Sequence, residues 1–256
     1  MSTQDLQDKY DELVRQCASG NIESTINAAV QLSRLTGRMR AINLVKTELI
    51  PDVDAVIFDV GANNGSSSEE YRQMFPNATI HSFEPHPAVF EELRQKFFGD
   101  IKVIGNNCGV ADRSGTLRFN MANQSGSSSF LNISPDSPYI RGIGVAEEES
   151  REVPVISVDD YCNARGIKHI DFLKIDVQGF EHKVLEGASG MLARHAIGAI
   201  QTEIIFRDFY TQPSSFFAIE QCLQAYGYTL RCIFDIYPAE GSPIFQCDAI
   251  YTYSQK

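Results

Sequence analysis

Val56-Ile57-Phe58-Asp59-Val60-Gly61-Ala62-Asn63-Asn64-Gly65 carries two signals in ten residues. Ala55 to Phe58 is a short apolar run rich in β-formers, the pattern of a parallel strand buried on both faces. It ends in Asp59 and a glycine-punctuated turn. Ser66 to Ser68 then supply N-cap hydroxyls and Glu69-Glu70 first-turn acids, so a helix is expected to start there. Strand, glycine loop and helix in that order bring backbone N–H groups close to a ligand. An ordinary βα turn has the same outline.

Three glycine-loop chemistries compete for the stretch. A triphosphate loop needs Lys and a hydroxyl residue after its last glycine, but Ser66 follows Gly65. A dinucleotide fingerprint needs a middle glycine, and Asn63 stands there. The looser acidic-x-Gly-x-x-x-Gly loop of S-adenosylmethionine (SAM) enzymes remains. That ligand offers an amino group and a carboxylate. Asp59 and the backbone from Gly61 to Gly65 are expected to meet them, directly or through water. Next, Ala78 to Phe83 is strand-like, and Glu84 stands at its end, 25 residues after Asp59. An acid at the end of the second strand of a doubly wound sheet holds a ribose diol, at a spacing of roughly 20 residues. A helix-capping Glu before Pro87 is the plainer alternative.

The 256 residues fit one large α/β domain, or one domain with a small appendage. A net charge of −11 argues against nucleic acid or an anionic membrane as the main partner. Six scattered cysteines without C-x-x-C read as reduced core residues, and a polar, acidic start reads as no signal peptide, so a cytoplasmic location is expected. Residues 3 to 49 read as three helices, broken at Gly20 and ended by Pro51. They form an N-terminal helical appendage over residues 1–50, packed on the sheet or serving as a lid or homo-oligomer contact, and 51–256 form the main domain.

Farther along, Pro87 to Phe98 reads as an amphipathic helix and Ile101 to Ile104 as the third strand. Asn107 lies just beyond, where an adenine edge would be. Thr116 to Met121 and Arg151 to Val158 read as strands of a small β insertion with mobile loops, among them the polar Gln124 to Ser129. Ile170 to Ile175, ending in Asp176, and Ala199 to Phe206, containing Glu203, read as the fourth and fifth core strands. Tyr228 to Ile236 and Phe245 to Tyr253 read as a closing antiparallel hairpin. The result is an α/β, Rossmann-like sheet of the class I SAM-methyltransferase kind.

Four motifs in order resemble the FkbM-type methyltransferases: Asp59 to Gly65, Phe83-Glu84-Pro85, Gly126-Ser127-Ser128-Ser129, and Asp171 to Glu181. The resemblance covers roughly residues 54 to 206. It implies methyl transfer from SAM, usually to a hydroxyl of a sugar or natural product, with N-methylation of an amine or peptide as the alternative. It brings Ser128 in among the cofactor-side residues, with Asp59, Gly61, Asn63, Gly65, Glu84 and Asn107. Gln178 departs from the family, which commonly has Glu there.

A hydroxyl acceptor must shed a proton, which calls for a base or a metal. Asp176 is expected to orient or deprotonate the acceptor. Glu203 is expected to support it or to join it in a possible Mg²⁺ site, although no dedicated metal-ligand set stands out. Lys174 shares a strand face with Asp176 and offsets charge, or else forms a core ion pair with Glu203. An NAD-linked oxidoreductase is disfavoured by Asn63 and by the lack of a Tyr-x-x-x-Lys pair. A non-enzymatic scaffold has no need of Asp59, Glu84 and Asp176 together.

Overall fold

The structure is a computed structural model describing residues 3–17, 31, 36–50, 54–135, 137, 144–238 and 244–253. In chain order its elements are α1 (Thr3–Cys17), α2 (36–44), β1 (Val56–Val60), α3 (Ser66–Met74), β2 (Thr79–Phe83), α4 (Pro87–Lys96) and β3 (Val103–Asn106). Then come β4 (Gly109–Val110), β5 (Gly115–Ala122), β6 (Glu147–Ile156), α5 (Val158–Arg165) and β7 (Ile170–Ile175). Last are α6 (Glu181–Glu186), α7 (Ser189–Ala193), β8 (Ile197–Ile205), α8 (Phe216–Ala225), β9 (Tyr228–Pro238) and β10 (Ile244–Tyr253).

Ile57, Phe58 and Val60 of β1 are completely buried, because the strand has parallel neighbours, β2 and β7, on both edges. Among the described residues the main sheet runs β3-β2-β1-β7-β8-β10-β9. The first five strands are parallel, and β10 is antiparallel to both β8 and β9. The chain builds outward from β1 to β3, then returns to build β7 and β8 on β1's other edge. That reversal opens a crevice at the carboxyl ends of β1 and β7, where such sheets bind ligands. A second sheet, β4-β6-β5, is the expected insertion.

Alternation sorts the side chains of the sheet. One face buries Phe58, Val60, Leu173 and Ile175 with Tyr161, Leu185 and Leu223 from the helices. The other face is apolar at its base, where Ile57 and Phe172 meet Tyr71 of α3 and Phe75 just after it. Ala41, Val45 and Ile50 of the N-terminal segment join that cluster, so α2 packs directly on the sheet. One register level higher the same face turns polar. Ser82, Asp59, Lys174 and Gln201 stand side by side across four strands.

Several expectations shift. α2 ends in a π-helical turn, Val45–Leu49. The helix expected around 21–32 lies outside the described residues, residue 31 apart. β6 begins at Glu147, so the strand expected from Arg151 starts four residues earlier and takes in the exposed acidic run Glu147 to Glu149. Val158 opens α5 instead of ending a strand, because the Ser157 hydroxyl accepts the Asp160 N–H as an N-cap. The polar loop expected to be mobile holds a 3₁₀ turn, Ser125–Ser127, and Ser128 and Ser129 are buried. No helix among the described residues is long and apolar enough to cross a membrane.

Candidate active site

A cleft of about 530 Å³, counting its open mouth, lies at the carboxyl ends of β1, β2 and β7. Gly61 and Asn63, Glu84, and Asp176 with Gln178 reach it from three loops. Phe119 and Phe130, packed 5.0 Å apart, close it from the insertion side.

The glycine loop is held by its own hydrogen bonds. Gly61 and Ala62 donate to the Phe83 carbonyl, Gly65 to the Ala62 carbonyl, and Asn64 to its neighbour's side-chain oxygen. Asn63, at φ 48°, donates its N–H to Glu84 at 2.8 Å. The expected role of Gly61 to Gly65 as N–H donors to a ligand carboxylate is therefore corrected, since all five donors are engaged inside the protein. The glycines act through shape. Gly61 sits at φ 75°, and a Cβ there would run into the carbonyl of Asp176. Gly65 is itself the N-cap of α3 at φ 81°, with no side-chain cap, so Ser66 to Ser68 do not cap the helix as expected.

Glu84 is 6 % exposed and lines the cleft. One carboxylate oxygen accepts Asn63 N–H and the other His86 N–H at 2.7 Å. Each oxygen keeps a further lone pair. Burial pushes its pKa up to about 7 against the pull of those N–H groups. Ser128 lines the cleft too, its hydroxyl accepting Ala122 N–H. Asn107 does not line it. Its amide nitrogen is used up on the carbonyls of Glu84 and Pro85, so it braces the exit of β2 instead of offering that donor to an adenine.

Asp59 is fully buried behind the loop, outside the cleft lining. It accepts from the Ser68 hydroxyl at 2.6 Å and lies 3.2 Å from Lys174 Nζ. The same ammonium donates to the Gly61 carbonyl at 3.0 Å and lies 3.4 Å from Asp176. Burial works against this charge, but Asp59 and Asp176 outweigh it and leave the Lys174 pKa above its ordinary value. Lys174 thus pins strand, loop and cleft together. It does not pair with Glu203, as one expectation had it.

Glu203 is 6 % exposed and outside the cleft lining. Gln246 donates to one of its oxygens and Gln178 to the other, each at 2.8 Å. The same Gln178 nitrogen donates to Asp176 at 2.9 Å. Tyr210 fixes the amide's orientation, its hydroxyl lying 2.9 Å from Gln178 Oε1. Burial and then the nearby Asp176 raise the Glu203 pKa well above a normal carboxylate. A Mg²⁺ shared by Asp176 and Glu203 does not fit this donor set. The position between the two carboxylates is taken by an N–H donor, and among the described residues no group of three or more His, Cys, Asp or Glu converges. Gln178, at φ 57°, and Tyr210 are the participants the motifs did not assign. The departure of Gln178 from the Glu common at that place was the signal the sequence held; Tyr210 had none.

S-adenosylmethionine fits what is present. Glu84 holds spare acceptors for a diol, and Phe83, Pro85, Phe119 and Phe130 line an apolar slot. Residues 59–230 match the Methyltransferase FkbM domain. The chain is similar to the 2-O-methyltransferase NoeI of Sinorhizobium fredii, 27% identical over 63% of this chain and 68% of that one. It is also similar to the 31-O-demethyl-FK506 methyltransferase FkbM of Streptomyces tacrolimicus, 32% identical over 52% of this chain and 58% of that one. The hexuronic acid methyltransferase AglP of Haloferax volcanii is 28% identical over 62% and 59%. The match spans somewhat under two thirds of the length of the last two. With the matched domain covering most of the sheet and the whole cleft floor, the chain belongs to the FkbM methyltransferase family.

Proposed function

We propose that this chain transfers the methyl group of S-adenosylmethionine to a hydroxyl of a small molecule, sugar or natural-product intermediate. Glu84 carries the reading: a buried carboxylate at the end of β2, oriented by two N–H groups, with one lone pair per oxygen left for a ribose diol. Bound SAM supplies an electrophilic methyl carbon on a sulfonium. The acceptor oxygen bonds to that carbon as the carbon–sulfur bond breaks, its electron pair staying on sulfur. Asp176, its side chain 38% exposed at the cleft floor, takes the proton the hydroxyl sheds and passes it to water. Lys174 and Gln178 hold Asp176 in place, and Glu203 anchors Gln178 from behind. Alignment and exclusion of water account for the rest of the catalysis. The names of two relatives, a 2-O-methyltransferase and a 31-O-demethyl-FK506 methyltransferase, support oxygen as the acceptor atom.

Calorimetry with S-adenosylhomocysteine (SAH) and with NAD tests the cofactor half. SAH is expected to bind and NAD not to; NAD binding without an SAH signal would overturn it. Methyl incorporation from labelled SAM into alcohols but not amines tests the acceptor half.

A further inference from the structure

Asp176 has a second side. On the face of the sheet covered by α3 and α2 lies another cavity, about 620 Å³ counting its mouth. Among the described residues, Asp176 is the one residue that lines both this cavity and the cleft. One wall is apolar, with Ile42, Val45, Met74, Phe234 and Ile250. The other carries hydrogen-bonding groups, Ser67, Tyr71, Gln201 and Asp248. Tyr71 is 6% exposed, and its hydroxyl has no hydrogen-bond partner among the described residues. Burial holds that hydroxyl protonated, so it remains a donor.

The charges select the ligand. Three carboxylates line the cavity, Glu70, Asp176 and Asp248, against two cations. Both cations are engaged. Arg38 bonds Glu70 and Asp235 at 2.9 and 2.6 Å, and Lys174 pairs with Asp59 and Asp176. An anionic ligand would meet surplus negative charge with no spare cation. A ring bearing several hydroxyls would donate to the carboxylates, accept from Tyr71 and rest its C–H face on the apolar wall.

Resting on the methyl-transfer reading above, we propose that this cavity is the acceptor subsite and takes an uncharged, hydroxyl-rich ring such as a neutral sugar or cyclitol. Its reacting hydroxyl and the methyl carbon meet beside Asp176, the residue the two spaces share, with the carboxylate to the side of the forming bond. The oxygen gains the methyl, Asp176 takes the proton, and the electron pair of the broken bond leaves on sulfur.

The test uses the full chain, labelled SAM, and a panel of methyl glycosides of neutral pyranoses, myo-inositol and the corresponding methyl glycosides of uronic acids. Neutral rings are expected to be methylated and uronates not. For the best acceptor, Ser67→Phe, which fills the cavity, should raise KM by about tenfold or more while SAH affinity stays within about twofold. Saturation-transfer NMR should show that acceptor on the parent chain and not on this variant. Tyr71→Phe adds no volume and should raise KM about fivefold, the worth of one hydrogen bond, should Ser67→Phe fail to fold. Preference for uronates, SAH binding without methylation of any neutral ring, or cavity variants with unchanged KM would each overturn the subsite. Failure of the parent chain to bind SAH would overturn the methyl-transfer reading itself, and this proposal with it.

Discussion

Replacing Glu84 by Ala separates its service to the ligand from its service to the fold. In the parent each carboxylate oxygen accepts one backbone N–H, from Asn63 or His86, and has one lone pair free. Two charge-assisted hydrogen bonds to a ribose diol are lost in the variant, but water can enter and partly replace them. A net loss of about 1.5–3 kcal/mol is expected, or roughly 10–150-fold weaker SAH binding. The cost to the ligand-free protein is different. A carboxylate with a pKa near 7 is held in its ionised form at pH 8 at an expense of about 3 kcal/mol relative to an ordinary Glu. The substitution removes that expense. It also strands two N–H groups at the edge of a water-filled cleft, at about 1 kcal/mol each. The two contributions nearly offset, so the ligand-free melting temperature should move by no more than a few degrees. Calorimetric titration with SAH, paired with a melt in its absence, reads both. Undiminished SAH affinity in a variant that melts like the parent would refute the ribose-holding role. A melt that collapses would refute the offset.

Three further outcomes are expected. SAH affinity should fall by up to about tenfold per pH unit below pH 7, because Glu84 must release its proton to accept two hydroxyls; titrations in buffers of different ionisation heat should show proton release there, and a flat profile would contradict it. Its raised pKa has the complementary sign for folding: the ligand-free chain keeps Glu84's contribution at low pH and loses it as pH rises through about 7. Asp176→Asn should keep SAH affinity within about threefold and lose turnover by on the order of 10² or more, with a chelator leaving the parent rate unchanged; parent-rate turnover removes Asp176 from the chemistry. Gln178→Glu sets a third carboxylate between Asp176 and Glu203 in place of the shared donor. It should destabilise the fold by about 1–3 kcal/mol at pH 8 and recover near pH 5, where the new acid holds its proton, so an equal loss at both pH values by denaturant melts would count against the clamp.

Local physics made much of this legible. The apolar run at β1, its glycine turn and the acid ending β2 are each set by near neighbours in sequence, and all three stand where expected. The closing antiparallel pair was readable in two strand-like runs near the end of the sequence, but not its order, which sets β10 between β8 and β9. The misses are long-range. Nothing near Asp59 shows that Lys174, more than a hundred residues away, will bury its ammonium against it. Nothing near Gln178 shows that Tyr210 and Glu203 will orient its amide. Three of the loop N–H groups, those of Gly61, Ala62 and Asn63, looked free because their acceptors, the Phe83 carbonyl and the Glu84 carboxylate, lie at the end of the next strand. The α5 start was readable in Ser157 and Asp160, but the β-branched run before it masked the cap.

The insertion of β10 between β8 and β9 sets a constraint on assembly. β8, Ile197–Ile205, is apolar at both ends, with Gln201, Thr202 and Glu203 between, and pairs on one edge with β7 and on the other with β10, not with β9, which is nearer in sequence. Until residues 244–253 arrive, a half-built sheet presents that sticky edge to any other chain, the kind of template that seeds aggregation. The pairing that covers it is non-local, hence slow to form. The same docking brings Gln246 to Glu203, so the support behind the cleft forms together with the closure of that edge.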